Sequence, residues 1–140
     1  MDKSATTRRH FLRALTCGVA IAFAPIGVAA RPRRRPGFAG HPEPRHGVDG
    51  SLVLARDAVR ADLAETFDGI RSIPHIADGI GCHCGCGAMP EMRSLLSCYE
   101  GVGMAQFCVI CEGEGRLAVE LHAQGRSLDE IRAAIDRRFG

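Results

Sequence analysis

Apolar positions through the second half of the chain recur at helical spacing. Leu52, Leu54, Val59, Leu63, Phe67 and Ile70 alternate with Arg56, Arg60, Asp62 and Glu65, which predicts one amphipathic helix ending before Pro74. Residues 74–80 predict a second, short helix with Pro74 in its first turn, where a missing N–H costs little. After Pro90, residues 91–100 predict a short helix that turns Met92, Leu95 or Leu96 inward, and a Gly-Val-Gly break follows at 101–103. Residues 104–124 predict a longer helix with Met104, Cys108, Cys111, Leu117 and Leu121 on its apolar side, although Gly113 and Gly115 weaken its propensity. Glu112, Glu114 and Glu120 on this helix read as a solvated face, because their spacing shares no inward direction. Gly125 is a helix stop. Ser127-Leu128-Asp129-Glu130 has the form of a capping box, with Leu128, Ile131, Ile135 and Phe139 as the buried side of the last helix.

Between these helices, residues 81–87 read Gly-Cys-His-Cys-Gly-Cys-Gly, too glycine-rich for a helix or a stable strand, and so a loop. The expected fold class is mainly α: a small cysteine-rich domain of about four helices with a Gly/Cys loop, spanning residues 51–140. These 90 residues suffice for one small core, of a size that often gains stability from disulfides or metals.

The N-terminal part has a different pattern. Thr7-Arg8-Arg9-His10-Phe11-Leu12-Arg13 precedes an apolar stretch at 14–30 interrupted by Thr16, Gly18, Pro25 and Gly27. The paired arginines followed by Phe-Leu-Arg resemble the recognition motif of bacterial twin-arginine signal peptides, and Val28-Ala29-Ala30 offers small residues for cleavage after Ala30. Retention as a transmembrane anchor is the alternative, but the stretch is short and weakly apolar for a span. Ala14-Leu15-Thr16 before Cys17 is a poor lipid-attachment signal. Residues 1–30 are thus expected to be an export signal that engages the twin-arginine translocase and touches the membrane only in transit. The mature protein is expected to be periplasmic or extracellular. Residues 31–50 are dominated by proline, glycine and charge, with Phe38 and Val48 as the only large apolar residues, and read as a disordered linker. His41 and His46 within it read as part of a solvated tether.

Charge changes with export. The chain has 18 basic and 16 acidic side chains. Loss of Lys3, Arg8, Arg9, Arg13 and Asp2 leaves 14 basic against 15 acidic, and from Ser51 onward the balance is 9 against 13. No basic face remains to argue for nucleic acid. The glycines at 101–103 follow no strand and precede no lysine, so they make no phosphate loop. Nothing points to hydrolytic or transfer chemistry.

The chemistry lies in the thiols. Without Cys17, six cysteines remain, Cys82, Cys84, Cys86, Cys98, Cys108 and Cys111, all within 30 residues. So many thiols in an oxidising compartment must each be committed to a disulfide, a metal or a redox pair. Glycines around Cys82-x-Cys84-x-Cys86 let three sulfurs turn toward one point, whereas a disulfide within C-x-C is strained. Cys108-x-x-Cys111 at a helix start suits a metal-binding pair and a redox-active dithiol equally. Thiolates select Cu(I), Zn(II) or iron in sulfide clusters. Met89, Met92 and Met104 read as core filling. His83 is a candidate ligand, though a solvated loop side chain is the plainer reading. His75 and His122 are weaker candidates.

The segments Gly81-Cys82-His83-Cys84-Gly85-Cys86-Gly87, Ser94-Leu95-Leu96-Ser97-Cys98-Tyr99, Cys108-Val109-Ile110-Cys111, Gly125-Arg126-Ser127 and Glu130-Ile131-Arg132 together resemble the exported bacterial proteins named for a P-C-Y-C-G-C motif. The resemblance covers residues 73–140 and keeps all six cysteines in order, with Gly81 in place of the proline and His83 in place of the tyrosine. It implies a shared cysteine site and names no activity. Cys108-x-x-Cys111 followed by a helix and Gly125-x-Ser127-x-x-Glu130-Ile131 is also similar to cytochrome c maturation thiol proteins, which implies a dithiol. The first expectation is a non-enzymatic, exported protein binding Cu(I) or Zn(II) for storage, delivery or sensing, with a possible metal-delivery partner. Cys82, Cys84 and Cys86 would form one wall of the site, Cys108 and Cys111 the other, and Cys98 would close it. The alternatives are a thiol-disulfide oxidoreductase using Cys108 and Cys111, and a disulfide-stapled interaction module.

Overall fold

A computed structural model describes residues 37–140. The expected export signal, Cys17 and residues 31–36 lie outside the described residues. The regular elements are four α-helices, α1 (Ala64–Ser72), α2 (Pro74–Asp78), α3 (Val109–Ala123) and α4 (Leu128–Phe139), with short 3-10 turns at Arg56–Ala58, Cys86–Ala88, Leu96–Tyr99 and Met104–Gln106. The fold is mainly helical, as the periodicity predicts, and no strand occurs among the described residues. None of the described helices is long and apolar enough to cross a membrane.

The first expected helix is much shorter than its apolar spacing suggests. Only Ala64–Ser72 is helical, with Phe67 and Ile70 on its buried side. Residues 52–59 instead follow an irregular path in which Val53 forms an isolated antiparallel bridge with Glu100 and the Leu54 N–H donates to the Tyr99 carbonyl at 3.1 Å. The Arg71 guanidinium donates to the carbonyls of Val53 and Leu54. A period-3.6 pattern therefore conceals an irregular segment of one bridge and one 3-10 turn, whose Val53 is buried while Leu52 is 69% exposed. Pro74 opens α2, and Ile73 before it has ψ 47°, outside the helical range that a following proline disfavours.

The expected long helix at 104–124 divides. A 3-10 turn covers Met104–Gln106, Cys108 adopts extended backbone as N-cap, and α3 starts at Val109. Its buried face is Cys111, Glu114, Gly115 and Ala118, spaced as one helical side. Leu117 and Leu121 are partly buried against the core. Glu114 does not belong to a solvated face: it is wholly buried. Gly113 and Gly115 serve packing. A Cβ on Gly115 would collide with the Tyr99 phenol, and one on Gly113 would sit 3.0 Å from the Phe139 ring. Gly125, at φ +75°, reverses the chain, and α4 begins with the predicted capping box of Ser127 and Glu130. Ile131 and Ile135 face the core, with Leu128 and Phe139 at its margin.

Leu63, Phe67, Ile70, Ile80, Leu95, Leu96, Tyr99, Ile131 and Ile135 fill one core that also includes Cys82, Cys98 and Cys111. The Phe67 and Tyr99 rings meet edge to face with centroids 4.6 Å apart.

The linker expectation is corrected from Gly37 onward. Residues 37–50 are bonded to the helical domain, with about half of them still exposed to solvent. Arg45 and Arg93 both pair with the buried Asp78 carboxylate at 2.9 Å, which also accepts from the Arg45 backbone N–H and the Ser94 hydroxyl. Arg132 donates to the Pro42 carbonyl and Arg93 to that of Glu43. Composition misleads here because polar backbone and side-chain bonds hold the segment, together with its two large apolar residues, Val48 against the core and Phe38 on the His83 ring.

Candidate metal centre

Three separate segments bring cysteines together. Cys82 and Cys84 come from the loop after α2, Cys98 from the turn Leu96–Tyr99, and Cys111 from the first turn of α3. Their four Sγ atoms all lie within 4.8 Å of one another, and those of Cys82 and Cys111 are 3.4 Å apart. Cys82, Cys98 and Cys111 are buried and Cys84 is half-buried, at the open corner. All six cysteines of the described residues are free thiols. Cys86 and Cys108 are partly exposed and fall outside the group of four.

The frame around this group is specific. The Leu95 N–H donates to the Ile80 carbonyl at 2.7 Å, tying together the two ends of the loop. The Tyr99 hydroxyl donates to the Cys111 carbonyl at 2.9 Å, which fastens the start of α3 to the turn carrying Cys98. Gly85, at φ +90°, turns the loop back so that the Cys86 N–H points at Cys84 Sγ, 3.4 Å away.

Electrostatics set the thiols apart. The neighbouring Cys111 thiol, and then burial, push Cys82 well up. Cys98 also rises: contact with Cys111 pulls it down, but contact with Cys82 and burial outweigh that. Cys111 follows the same logic, lowered by Cys82 but raised more by Cys98 and burial. For Cys84, burial opposes ionisation, yet hydrogen bonds from the Cys86 side chain and backbone more than compensate and its pKa falls. Cys86, beside Cys84, is pushed up to about 11. Thiols packed this closely resist shared ionisation, and a cation among them would remove that resistance.

Behind Cys82 a chain of polar groups runs from the buried Glu114 and His83 out to the partly exposed Asp136. Glu114 Oε1 accepts from the His83 backbone N–H at 2.9 Å and meets His83 Nδ1 at 2.7 Å. His83 Nε2 lies 3.0 Å from Asp136 Oδ1, and His41 Nε2 reaches the same oxygen at 3.0 Å. His83 is neither solvated nor a metal ligand in this arrangement, because both ring nitrogens face carboxylates. Burial raises the pKa of Glu114 against the opposing pull of the Cys82 thiol and the His83 bonds. Its Oε2 is buried without a hydrogen-bond partner.

The donor set fits a single ion. With metal–sulfur bonds near 2.3 Å, a tetrahedral four-thiolate site has sulfurs about 3.8 Å apart, so the Cys82–Cys111 pair at 3.4 Å opens slightly and the wider pairs, up to 4.8 Å, close in. Sulfurs bound to the different irons of a sulfide cluster stand farther apart than one shared ion requires. Met92 and Met104 pack against the core as expected, while Met89 is exposed. His46 and His75 are exposed.

Sequence reasoning missed Glu114, Phe38, His41 and Asp136. Glu114 had a legible signal: it stands three residues after Cys111 and four before Ala118, on the same helical face. The other three depend on contacts made across 40 or more residues. Compared with family models, curated proteins and solved structures, the chain matches none.

Proposed function

We propose that this is an exported, non-enzymatic metal-binding protein of the P-C-Y-C-G-C kind, holding one zinc ion through the thiolates of Cys82, Cys84, Cys98 and Cys111. The observation that carries this reading is the convergence of four sulfurs within 4.8 Å. Four thiolates in tetrahedral array select zinc over copper(I) among the ions compatible with thiols, and a site buried at three corners is of the closed type that retains its ion. Bound zinc would supply charge neutralisation and a cross-link between three chain segments, without redox chemistry. The paired Arg8-Arg9 and the apolar stretch after them support export by the twin-arginine translocase, which would let the folded chain carry its metal across. The oxidoreductase reading has less support. A thiol nucleophile is exposed and of lowered pKa, and Cys111 is buried and raised.

The test is metal content and free-thiol count on mature protein purified anaerobically from its export compartment. About one zinc per chain, with four thiols protected until the metal is stripped, is the expected result. Cys84→Ser should lose the ion, whereas Cys86→Ser and Cys108→Ser should keep it. Several copper ions per chain would overturn the single-zinc site, and three disulfides without metal would overturn metal binding altogether.

A further inference from the structure

The outer wall of the cysteine loop is built by a segment remote in sequence. Gly37 lies against Gly85, so closely that a Cβ on Gly37 would come within 3.0 Å of the Gly85 Cα. The Gly40 carbonyl oxygen sits against Gly81, where any Cβ would strike it. Between these contacts the Phe38 ring stacks on the His83 ring, with centroids 4.0 Å apart and planes 14° apart. His41 Nδ1 accepts the Gly81 N–H at 3.0 Å. That bond places the ring proton on Nε2, which then donates to Asp136.

The backbone donors on either side of Cys82 are thus both held by side chains, Gly81 N–H by His41 and His83 N–H by Glu114. The loop from 81 to 84 has no helical or sheet ladder to hold it, so those two side chains do the positioning. Gly81, Cys82 and His83 are buried where the segment crosses them, and the loop becomes half-exposed from Cys84 onward. Cys84 is half-buried, whereas Cys82 is buried in the stretch whose two flanking residues the segment touches.

We propose that residues 37–41 form a removable cover on the thiol site, with Phe38 and His41 as positioning residues that control how fast the sulfurs, and any ion they hold, exchange with solvent. This deepens the zinc reading above and rests on it for the ion, though not for the thiols. Burial depresses the His41 pKa, outweighing the opposing pull of Asp136, which favours the neutral ring needed to accept from Gly81. Exchange of a buried group follows the population of its locally open form. Loss of one hydrogen bond, at about 1 kcal/mol, raises that population by about fivefold.

The test uses the full mature chain in two arms. In the metal-free, reduced protein, modification of individual thiols by a maleimide is followed by mass spectrometry. In the zinc-loaded protein, zinc transfer to a colorimetric chelator is timed. Phe38→Ala, by loss of the ring stack, and His41→Ala, by loss of the Gly81 bond, should each speed labelling of Cys82 and zinc transfer by about fivefold, while labelling of Cys108 stays unchanged. His41→Asn, which returns an acceptor for the Gly81 N–H, should restore much of the wild-type rate. Ile70→Val, a methylene deletion in the buried side of α1 that costs about 1 kcal/mol, serves as the control for global stability. Unchanged Cys82 labelling in Phe38→Ala and His41→Ala, or an equal acceleration in Ile70→Val, would overturn the proposal. A wild-type chain that takes up no zinc would sink the zinc reading alone, and the labelling arm would still decide the cover.

Discussion

Replacing Glu114 tests whether the polar chain behind Cys82 is a built part of the fold. The side chain is inaccessible to solvent, and its Oε1 accepts the His83 backbone N–H at 2.9 Å and meets His83 Nδ1 at 2.7 Å. In Glu114→Ala the His83 N–H and Nδ1 both lose that partner inside the protein. An unsatisfied buried donor costs about 1–3 kcal/mol, and the vacated volume adds about 1 kcal/mol. Against this stands relief from burying a carboxyl group whose Oε2 has no partner, a desolvation cost of several kcal/mol when ionised. Burial raises the Glu114 pKa, as expected of a desolvated carboxyl. The balance is a net loss of about 2–3 kcal/mol, equivalent to roughly 10–20 °C in melting temperature for a domain of this size. Glu114→Gln keeps the acceptor and carries no charge, so it should stay within about 1 kcal/mol of the parent. Thermal unfolding of the reduced chain, followed by far-ultraviolet circular dichroism with and without zinc, measures both. If the alanine variant melts within a few degrees of the parent, His83 has other partners and the reasoning fails. If glutamine proves as damaging as alanine, the carboxylate charge matters more than the hydrogen-bond geometry.

Two further outcomes follow from the core and from the segment over it. Asp78 is buried, which by itself would raise its pKa, but the bonds and charge of Arg45, with help from Arg93, hold it below the usual carboxylate value. Its contribution is therefore complete above the unfolded value of about 3.9 and is lost as pH falls through the lower folded value. Urea midpoints at pH 6, 4 and 3 should drop more steeply for the parent than for Asp78→Asn, and parallel curves would refute the assignment. Gly115→Ala sets helix propensity, worth up to about 1 kcal/mol in favour of alanine, against a clash with Tyr99, about 1–3 kcal/mol. A net loss of about 1–2 kcal/mol, read from the fluorescence of the chain's single tyrosine during urea unfolding, is expected. A gain in stability would show that Tyr99 can move aside.

What the sequence by itself determined is largely what is decided within one helical turn. Pro74 at the start of α2, the left-handed Gly125 after α3 and the Ser127/Glu130 capping box are local backbone matters, and each was legible from residue type and spacing. The helical class followed from the same rules, and the cysteines from simple counting. Tertiary structure alone decided which thiols meet. Cys82 and Cys111 stand 29 residues apart, yet their sulfurs approach to 3.4 Å, because Tyr99 and Leu95 fasten the intervening segments. Cys86 and Cys108, equal to the others in the sequence, are left at the edge. The same holds for residues 52–59, where pairing of Val53 with Glu100 overrode helical spacing, and for residues 37–50, whose polar composition hid their bonds to Asp78, Gly81 and Asp136. Local periodicity records which face of an element is apolar. Burial of a charged or polar group such as Glu114 depends on a partner that only the assembled chain brings within reach.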